Sequence, residues 1–312
     1  MIPAYQGSNT PAVLVYARKN DFTVYGPSPD LILGAVDSYG VYWWWKDVGG
    51  WFDSAPFTAV VESLGNSNYG TWAQRFPRTP KAYTISGFCY AGDKTAAWAA
   101  RERLMTYWGD QDLIYDLVVN EPTVPKKAQV RLGAPISAPW SDSIGRARGF
   151  SFEIPVVAKD PLKYSLGAIT QSTGTQSPAV YGLTFPITFP AVFSSSGSDE
   201  LLYATVHNEG NAASPPTLIL EGAIASGWRI QNLDDLDEDG VGKTLWVNKA
   251  LGAHDKLELD GRTSSAKING YPVDVNVYGD WFSLIPGDNR IRLSSPSATD
   301  AILTISGNSA WR

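Results

Sequence analysis

Between Leu233 and Val241 the chain reads LDDLDEDGV, and within it Asp235, Asp237, Asp239 and Gly240 spell D-x-D-x-D-G. Carboxylates at alternate positions ahead of a glycine suit a hard, oxygen-seeking cation such as calcium, held in a tight turn. The calcium-loop pattern then breaks: where its last, bidentate glutamate belongs, the chain has Trp246. Asp235, Asp237 and Asp239 are therefore the metal candidates, set against the plainer reading of an acidic, solvated hairpin tip, which the missing ligand favours. The two histidines stand in turn-like contexts, His207 in VHNEG and His254 in GAHDK, with neither a nucleophilic serine partner nor metal-ligand spacing. Cys89 is the single cysteine, which leaves no disulfide framework and no cysteine-based zinc site, and predicts a buried structural thiol. Paired carboxylates for glycoside hydrolysis could lie on distant strands, but no feature singles out such a pair. Phosphate-cradling and dinucleotide fingerprints are missing as well. The expectation is a protein without catalytic residues or a cofactor.

Aromatic residues are the other chemistry on offer. YWWWKDVGGWF, from Tyr42 to Phe52, holds four tryptophans. Such a run could stack on sugar rings, or it could supply apolar area to a core or a subunit interface, and the second use is the commoner one. Trp43, Trp44 and Trp45 are thus the candidate interface residues. In the second half of the chain, Trp228, Trp246 and Tyr271 are the candidate sugar contacts.

The elements that must position these residues are mostly strands. The exception is DKTAAWAARERLMTYWG, Asp93 to Gly109, which reads as a helix capped by Asp93 and ended by Gly109. Ala97, Ala100, Leu104 and Trp108 fall on one face, with Trp98 and Met105 beside it and Glu102, Arg103 and Thr106 opposite. Arg101 points toward the apolar arc. Its guanidinium must snorkel to solvent or meet a carboxylate, and one on a neighbouring subunit would serve. Around the helix, strands are predicted over Ala12–Tyr16, Leu31–Val36, Phe57–Leu64, Lys81–Tyr90, Asp112–Asn120, Ala128–Leu132 and Gly149–Val157.

After Tyr164 a Ser, Thr, Gly and Gln stretch up to Ser177 reads as a linker or long loop and sets the domain boundary, giving domains 1–165 and 166–312. The second domain shows no helical pattern. Its expected strands are Leu183–Phe189, Leu201–Val206, Thr217–Glu221, Lys243–Val247, Lys256–Leu259, Trp281–Ile285, Arg290–Leu293 and Ala301–Ser306, spaced as in a jelly roll or related sandwich. The fold class is mainly β, two β-sandwich domains with a single α-helix in the first.

Composition agrees. The chain has 312 residues, with 18% charged, 12% aromatic, 21 prolines and 29 glycines, which suits short strands joined by many turns. A net charge of −6 with no basic run excludes a nucleic-acid backbone as partner. Neither a secretory leader nor a bilayer-length apolar run is present, so the protein is expected to be made and retained in a cytosol unless something other than secretion releases it.

Three segments carry a family resemblance. GFSFEIPVVAKDPLKY (Gly149–Tyr164) is a strand running into Asp-Pro and an aromatic. VHNEGNAASPPTLILEG (Val206–Gly222) is an Asn-x-Gly turn followed by proline and an apolar strand. DWFSLIPGDNRIRL (Asp280–Leu293), followed by AILTISGNSAWR, has a tryptophan, a Pro-Gly-x-Asn turn and a closing strand that ends in an aromatic. In order and spacing these resemble the distal tail proteins of long-tailed phages, and the Trp-rich N-terminal region is closest to versions from phages of actinobacteria. The triple tryptophan and the acidic turn at Asp235 have no counterpart in that pattern.

The resemblance implies an N-terminal belt domain that closes a homo-hexameric ring at the end of the tail tube. It also implies a peripheral galectin-like or carbohydrate-module-like sandwich. The protein would then be a structural, non-enzymatic part of the virion tail tip, assembled in the host cytoplasm, with the tail tube and tail-tip proteins as partners and no nucleic acid or membrane recognised. Lysis would release it without a leader. The alternative is a carbohydrate-binding module that contacts host cell-wall sugars, with a glycoside-active enzyme third.

Overall fold

The computed structural model describes residues 13–18, 31–54, 56, 60–63, 71–75, 79–108, 113–140, 148–176, 203–273, 277–297 and 299–312. The chain divides into two compact units, Met1–Leu166 and Gly167–Trp311. The expected strand Leu183–Phe189, the helix-ending Gly109 and parts of the Phe57–Leu64, Asp112–Asn120 and Leu201–Val206 strands lie outside the described residues.

In the first unit the strands run, in order across the sheet, Leu31–Leu33, Val13–Arg18, Ile114–Val119, Lys126–Leu132, Gly149–Ala158, Lys81–Tyr90, Tyr42–Gly49 and Ala35–Val36. Lys81–Tyr90 is the hub of this arrangement, paired antiparallel with Gly149–Ala158 along its whole length and with Tyr42–Gly49 on its other side. Its sequence, KAYTISGFCY, places every second residue inside, from Lys81 through Tyr83, Ile85 and Gly87 to Cys89. The helix, Lys94–Tyr107, lies on that inner side through Ala97, Ala100 and Leu104. Its spacing of three and four residues brings small and branched apolar side chains onto one stripe. Asp93 caps it, its carboxylate accepting the Ala96 N–H at 2.8 Å.

The second unit is a sandwich. One sheet carries Lys256–Asp260, Thr217–Glu221 and Ile302–Gly307, and the other carries Gly287–Ser294, Trp228–Leu236 and Gly242–Val247. Alternate residues face inward: Leu218, Leu220, Leu257, Leu259, Leu303 and Ile305 from the first sheet, and Trp228, Ile230, Leu245, Val247, Ile291 and Leu293 from the second. Among the described residues this unit has no helix.

Three expectations need correction here. The Ser/Thr stretch after Tyr164 is largely a strand, Ile169–Gln176, antiparallel to Ile302–Gly307 and then, at Thr175 and Gln176, parallel to Gly287–Ser294. It thus ties one sheet of the sandwich to the other. Backbone pairing needs no apolar side chains, and a strand with mostly solvated faces shows no alternation of hydrophobicity. Trp228–Leu236 is a nine-residue strand that pattern reading passes over, because Gln231, Asn232 and Asp235 are buried polar residues within it. Trp281–Ile285, in contrast, is not a strand. Only Leu284 forms an isolated bridge, to Ser214.

Candidate functional site

The tryptophan run splits by strand geometry. Trp43 is 2% exposed and packs edge-on against Phe150 and Phe152, with ring centroids 6.0 and 5.6 Å away. Its indole N–H donates to Asp37 Oδ2 at 3.0 Å. As a candidate interface residue Trp43 is therefore corrected to a core residue, since every second side chain of a strand turns inward. Trp44 is 47% exposed on the other face, stacked on Phe88 at 5.4 Å. Trp45 is half-buried against the core, where the strand bulges between Trp45 and Asp47.

On the outer face Trp44 has company. Tyr42 is in register with Tyr90, and Trp44 with Phe88, so four aromatic side chains form two adjacent cross-strand pairs. The short Ala35–Val36 strand covers the outer edge of Tyr42–Gly49 only as far as Trp43. Arg101 is held within its own domain: Nε donates to Ala138 O at 3.0 Å, and the guanidinium lies 5.5 Å from the Trp98 ring, which itself stacks on Trp140.

Sequence reading missed Asp37. Its Oδ1 closes the turn D-S-Y-G-V by accepting the Tyr39 and Val41 N–H groups, both at 2.9 Å, its own N–H donates to Val41 O and its carbonyl accepts from Gly40, while Oδ2 accepts from Trp43 and Arg103. The Arg103 guanidinium also lies over the Tyr39 ring at 4.0 Å. The second D-x-x-G-V in the chain, Asp237–Val241, makes the same turn, with Asp237 Oδ1 accepting from Asp239 and Val241 N–H. That repetition was available in the sequence as a signal.

This turn also settles the geometry of the acidic motif. Asp237 spends its carboxylate on the turn. Asp235 points inward, bonded to Lys243 Nζ at 2.8 Å and to the Ser283 N–H at 2.8 Å. The three carboxylates are not gathered, and no group of three metal-ligating side chains is found among the described residues. His207 pairs with Asp288 at 2.6 Å on an exposed face, with no nucleophile in that pair. Cys89 is buried, and burial first, then the Asp37 charge, pushes its thiol up to about 12, so it is inert.

A cluster of partly buried polar groups lies within the first unit. Trp51 Nε1 donates to Glu121 Oε1 at 2.8 Å, Lys126 holds Oε2, and Lys163 Nζ donates to Trp51 O at 3.0 Å. Burial pushes Glu121 up, but its hydrogen bonds to Lys126 and Trp51 outweigh that and hold it below its ordinary value. Lys81 and Lys163 are nearly inaccessible, and burial holds both below the usual lysine range. They act as structural pins, each tying a strand to the loop after Gly49.

In the second unit, Trp228 is fully buried and its N–H donates to Lys249 O at 2.8 Å. It is corrected from a sugar contact to a core residue. Trp246 and Tyr271 are exposed, by 46% and 75%. Trp246 belongs to a cross-strand row, Arg229–Trp246–Tyr278, on the outer face of its sheet. Tyr271 lies elsewhere, on the short edge strand Tyr271–Pro272 of the opposite sheet.

Residues 209–311 match the family model described as siphovirus-type tail component, C-terminal domain. The fold is similar to that of the Dit (gp 19.1) protein of phage SPP1, described as a paradigm of the hub adsorption apparatus in phages infecting Gram-positive bacteria. That likeness has a TM-score of 0.57 at 14% identity, covering 85% of this chain and 93% of the other. Chains of the phage P2 baseplate in its activated conformation match at TM-scores of 0.48 (with Ca) and 0.47 (with Sr). Their identities are 12% and 11%, and each match covers 94% of this chain and 97% of the other. No curated protein sequence matches.

Proposed function

We propose that this chain, whose residues 209–311 match the model of a siphovirus-type tail component C-terminal domain, is the hub of a long-tailed phage's tail tip. In this reading residues 1–165 form a belt, and six copies close a ring at the end of the tail tube. Residues 166–312 stand at the periphery and meet the tail-tip proteins. The particle assembles in the host cytoplasm, and the role is structural, with no catalytic step assigned to any residue.

The observation that carries the ring is the outer aromatic face of the first unit. Tyr42, Trp44, Phe88 and Tyr90 are a continuous apolar patch on a β-sheet, of the composition found at subunit interfaces. In a ring of more than two subunits one face of a subunit meets a different face of the next, and in this reading the patch supplies one of those two faces. Mass photometry across concentration tests it. The expected result is a ring, or a monomer-to-ring equilibrium. A strict monomer at every concentration, with no ring in negative-stain images of tail tips, would sink the proposal.

A second reading has its own support. Trp246 and Tyr278 present neighbouring exposed rings on the C-terminal unit, which is how a sheet face stacks on a saccharide.

A further inference from the structure

We propose that the ring contact pairs two different aromatic faces of the first unit, with Tyr42, Trp44, Phe88 and Tyr90 of one copy covering Trp98 and Trp140 of the next. This rests on the ring reading and names the second face, which that reading leaves open.

Strand register and helix spacing place the two faces on opposite sides of one sheet. Along Lys81–Tyr90 the residues that alternate with the core are Thr84, Ser86, Phe88 and Tyr90, and the last two carry the first face with their partners Trp44 and Tyr42. The helix lies on the core side, and on its flank Trp98 is 43% exposed. Trp140 is in bridge register with the buried Phe150, which turns it to that same side. Its ring stacks on Trp98 with centroids 5.0 Å apart. Both clusters have the composition that subunit contacts use. Two such faces turned away from each other suit a closed ring, in which each copy meets one neighbour on either side.

Charge selects which faces meet. One row along from Trp44 and Phe88, about 7 Å away, Asp47 and Glu153 flank Ser86 in register, and both are exposed. Beside Trp98 the helix presents Lys94, one turn earlier and exposed, and Arg101. The Arg101 Nε is bonded to Ala138 O, and its guanidinium lies 5.5 Å from the Trp98 ring. Among the described residues none of these four charges has an ion-pair partner. Lys46 and Glu102 carry the opposite signs, but Lys46 falls out of register at the bulge between Trp45 and Asp47, and Glu102 turns to the solvent side of Trp98. The first face laid on a second copy of itself would bring Asp47 and Glu153 against their own kind and close a two-fold dimer. Laid on Trp98 and Trp140, it brings them to Lys94 and Arg101 and leaves a free face at each end for the next copy.

The full-length Trp44→Gln and Trp98→Gln variants, each altered at an exposed ring, would be followed beside the parent by analytical ultracentrifugation across concentration. Each should assemble about tenfold or more weakly than the parent. Mixed in equal amounts where each alone is monomeric, they should form dimers that grow no further. The intact second face of Trp44→Gln meets the intact first face of Trp98→Gln, and the two faces left over are the damaged ones. That rescue also shows that both variants are folded. Lys94→Glu places an acid at a helix N-terminus, where it does not destabilise the helix, and should weaken assembly about threefold, less so at high salt. The pairing is overturned if Trp98→Gln assembles as well as the parent, if it makes dimers on its own, if the mixture stays monomeric, or if Lys94→Glu is without effect at low salt. In each of these cases a parent that still forms its ring leaves the ring reading standing, whereas a parent that is monomeric at every concentration sinks both.

Discussion

Asp37 and Asp237 sit in the same five-residue turn, yet their side chains do unequal work. Asp237 bonds only turn amides, whereas Asp37 also holds the Trp43 indole and Arg103. Asp37→Ala leaves a buried indole N–H without a partner and should cost roughly 2 kcal/mol, while Asp237→Ala should cost about 1 kcal/mol or less. Urea unfolding of the two variants checks the ordering. Lys81 and Lys163 give a pH prediction. Their folded values lie below the ordinary 10.5, so between those values and 10.5 the unfolded chain binds more protons and these groups add stability as pH rises. Cys89 opposes them, because its unfolded thiol ionises near 9.0 and the folded one only near about 12, so its contribution is lost as pH rises through that window. The variant difference isolates the lysines. Measured against the parent in thermal melts, Lys81→Met and Lys163→Met should compare most favourably at neutral pH and progressively less favourably toward pH 10.

Two elements are defined by close backbone approach and by pairing rather than by apolar pattern. Gly87 lies where the Lys81–Tyr90 strand passes under Phe152. A Cβ there would collide with Trp44 O and come within 2.7 Å of the Phe152 ring. Gly87→Ala should therefore destabilise by about 2 kcal/mol through overpacking, measurable as a drop in melting temperature. The Ile169–Gln176 strand makes the converse case. Its residues are mostly solvated, but Ile169 through Gly174 are in register with Gly307 through Ile302. Amide exchange should show the 170–174 segment protected to a degree similar to its partner strand. Exchange as fast as that of an exposed loop would contradict the pairing.

At the scale of the molecule, the belt reading separates two neighbouring tryptophans. Trp44→Ala should leave the melting temperature nearly unchanged and weaken ring formation roughly tenfold or more. Trp43→Ala should cost about 3 to 5 kcal/mol of stability, because it empties the core. A chain ending at Ser165 should still assemble, and residues 166–312 alone should remain monomeric. A folded but monomeric N-terminal piece, with assembly by the C-terminal one, would reverse the assignment.

The sequence by itself determined what its periodicity and punctuation encode. It showed strands where apolar residues alternate over a long run, as in KAYTISGFCY, and it placed the helix start at Asp93, because a cap is a local interaction. The order of three motifs along the chain pointed to the distal tail proteins of long-tailed phages, and residues 209–311 match the model of a siphovirus-type tail component C-terminal domain. Tertiary structure decided which face each aromatic takes. Trp43 and Trp44 are adjacent in the chain and opposite in the fold, since a period of two is invisible in a run of like residues, and Trp228 and Trp246, on separate strands, also take opposite faces. It also decided that a polar segment is a strand and that Arg229, Trp246 and Tyr278 are neighbours. Those facts depend on long-range partners, which local sequence does not record.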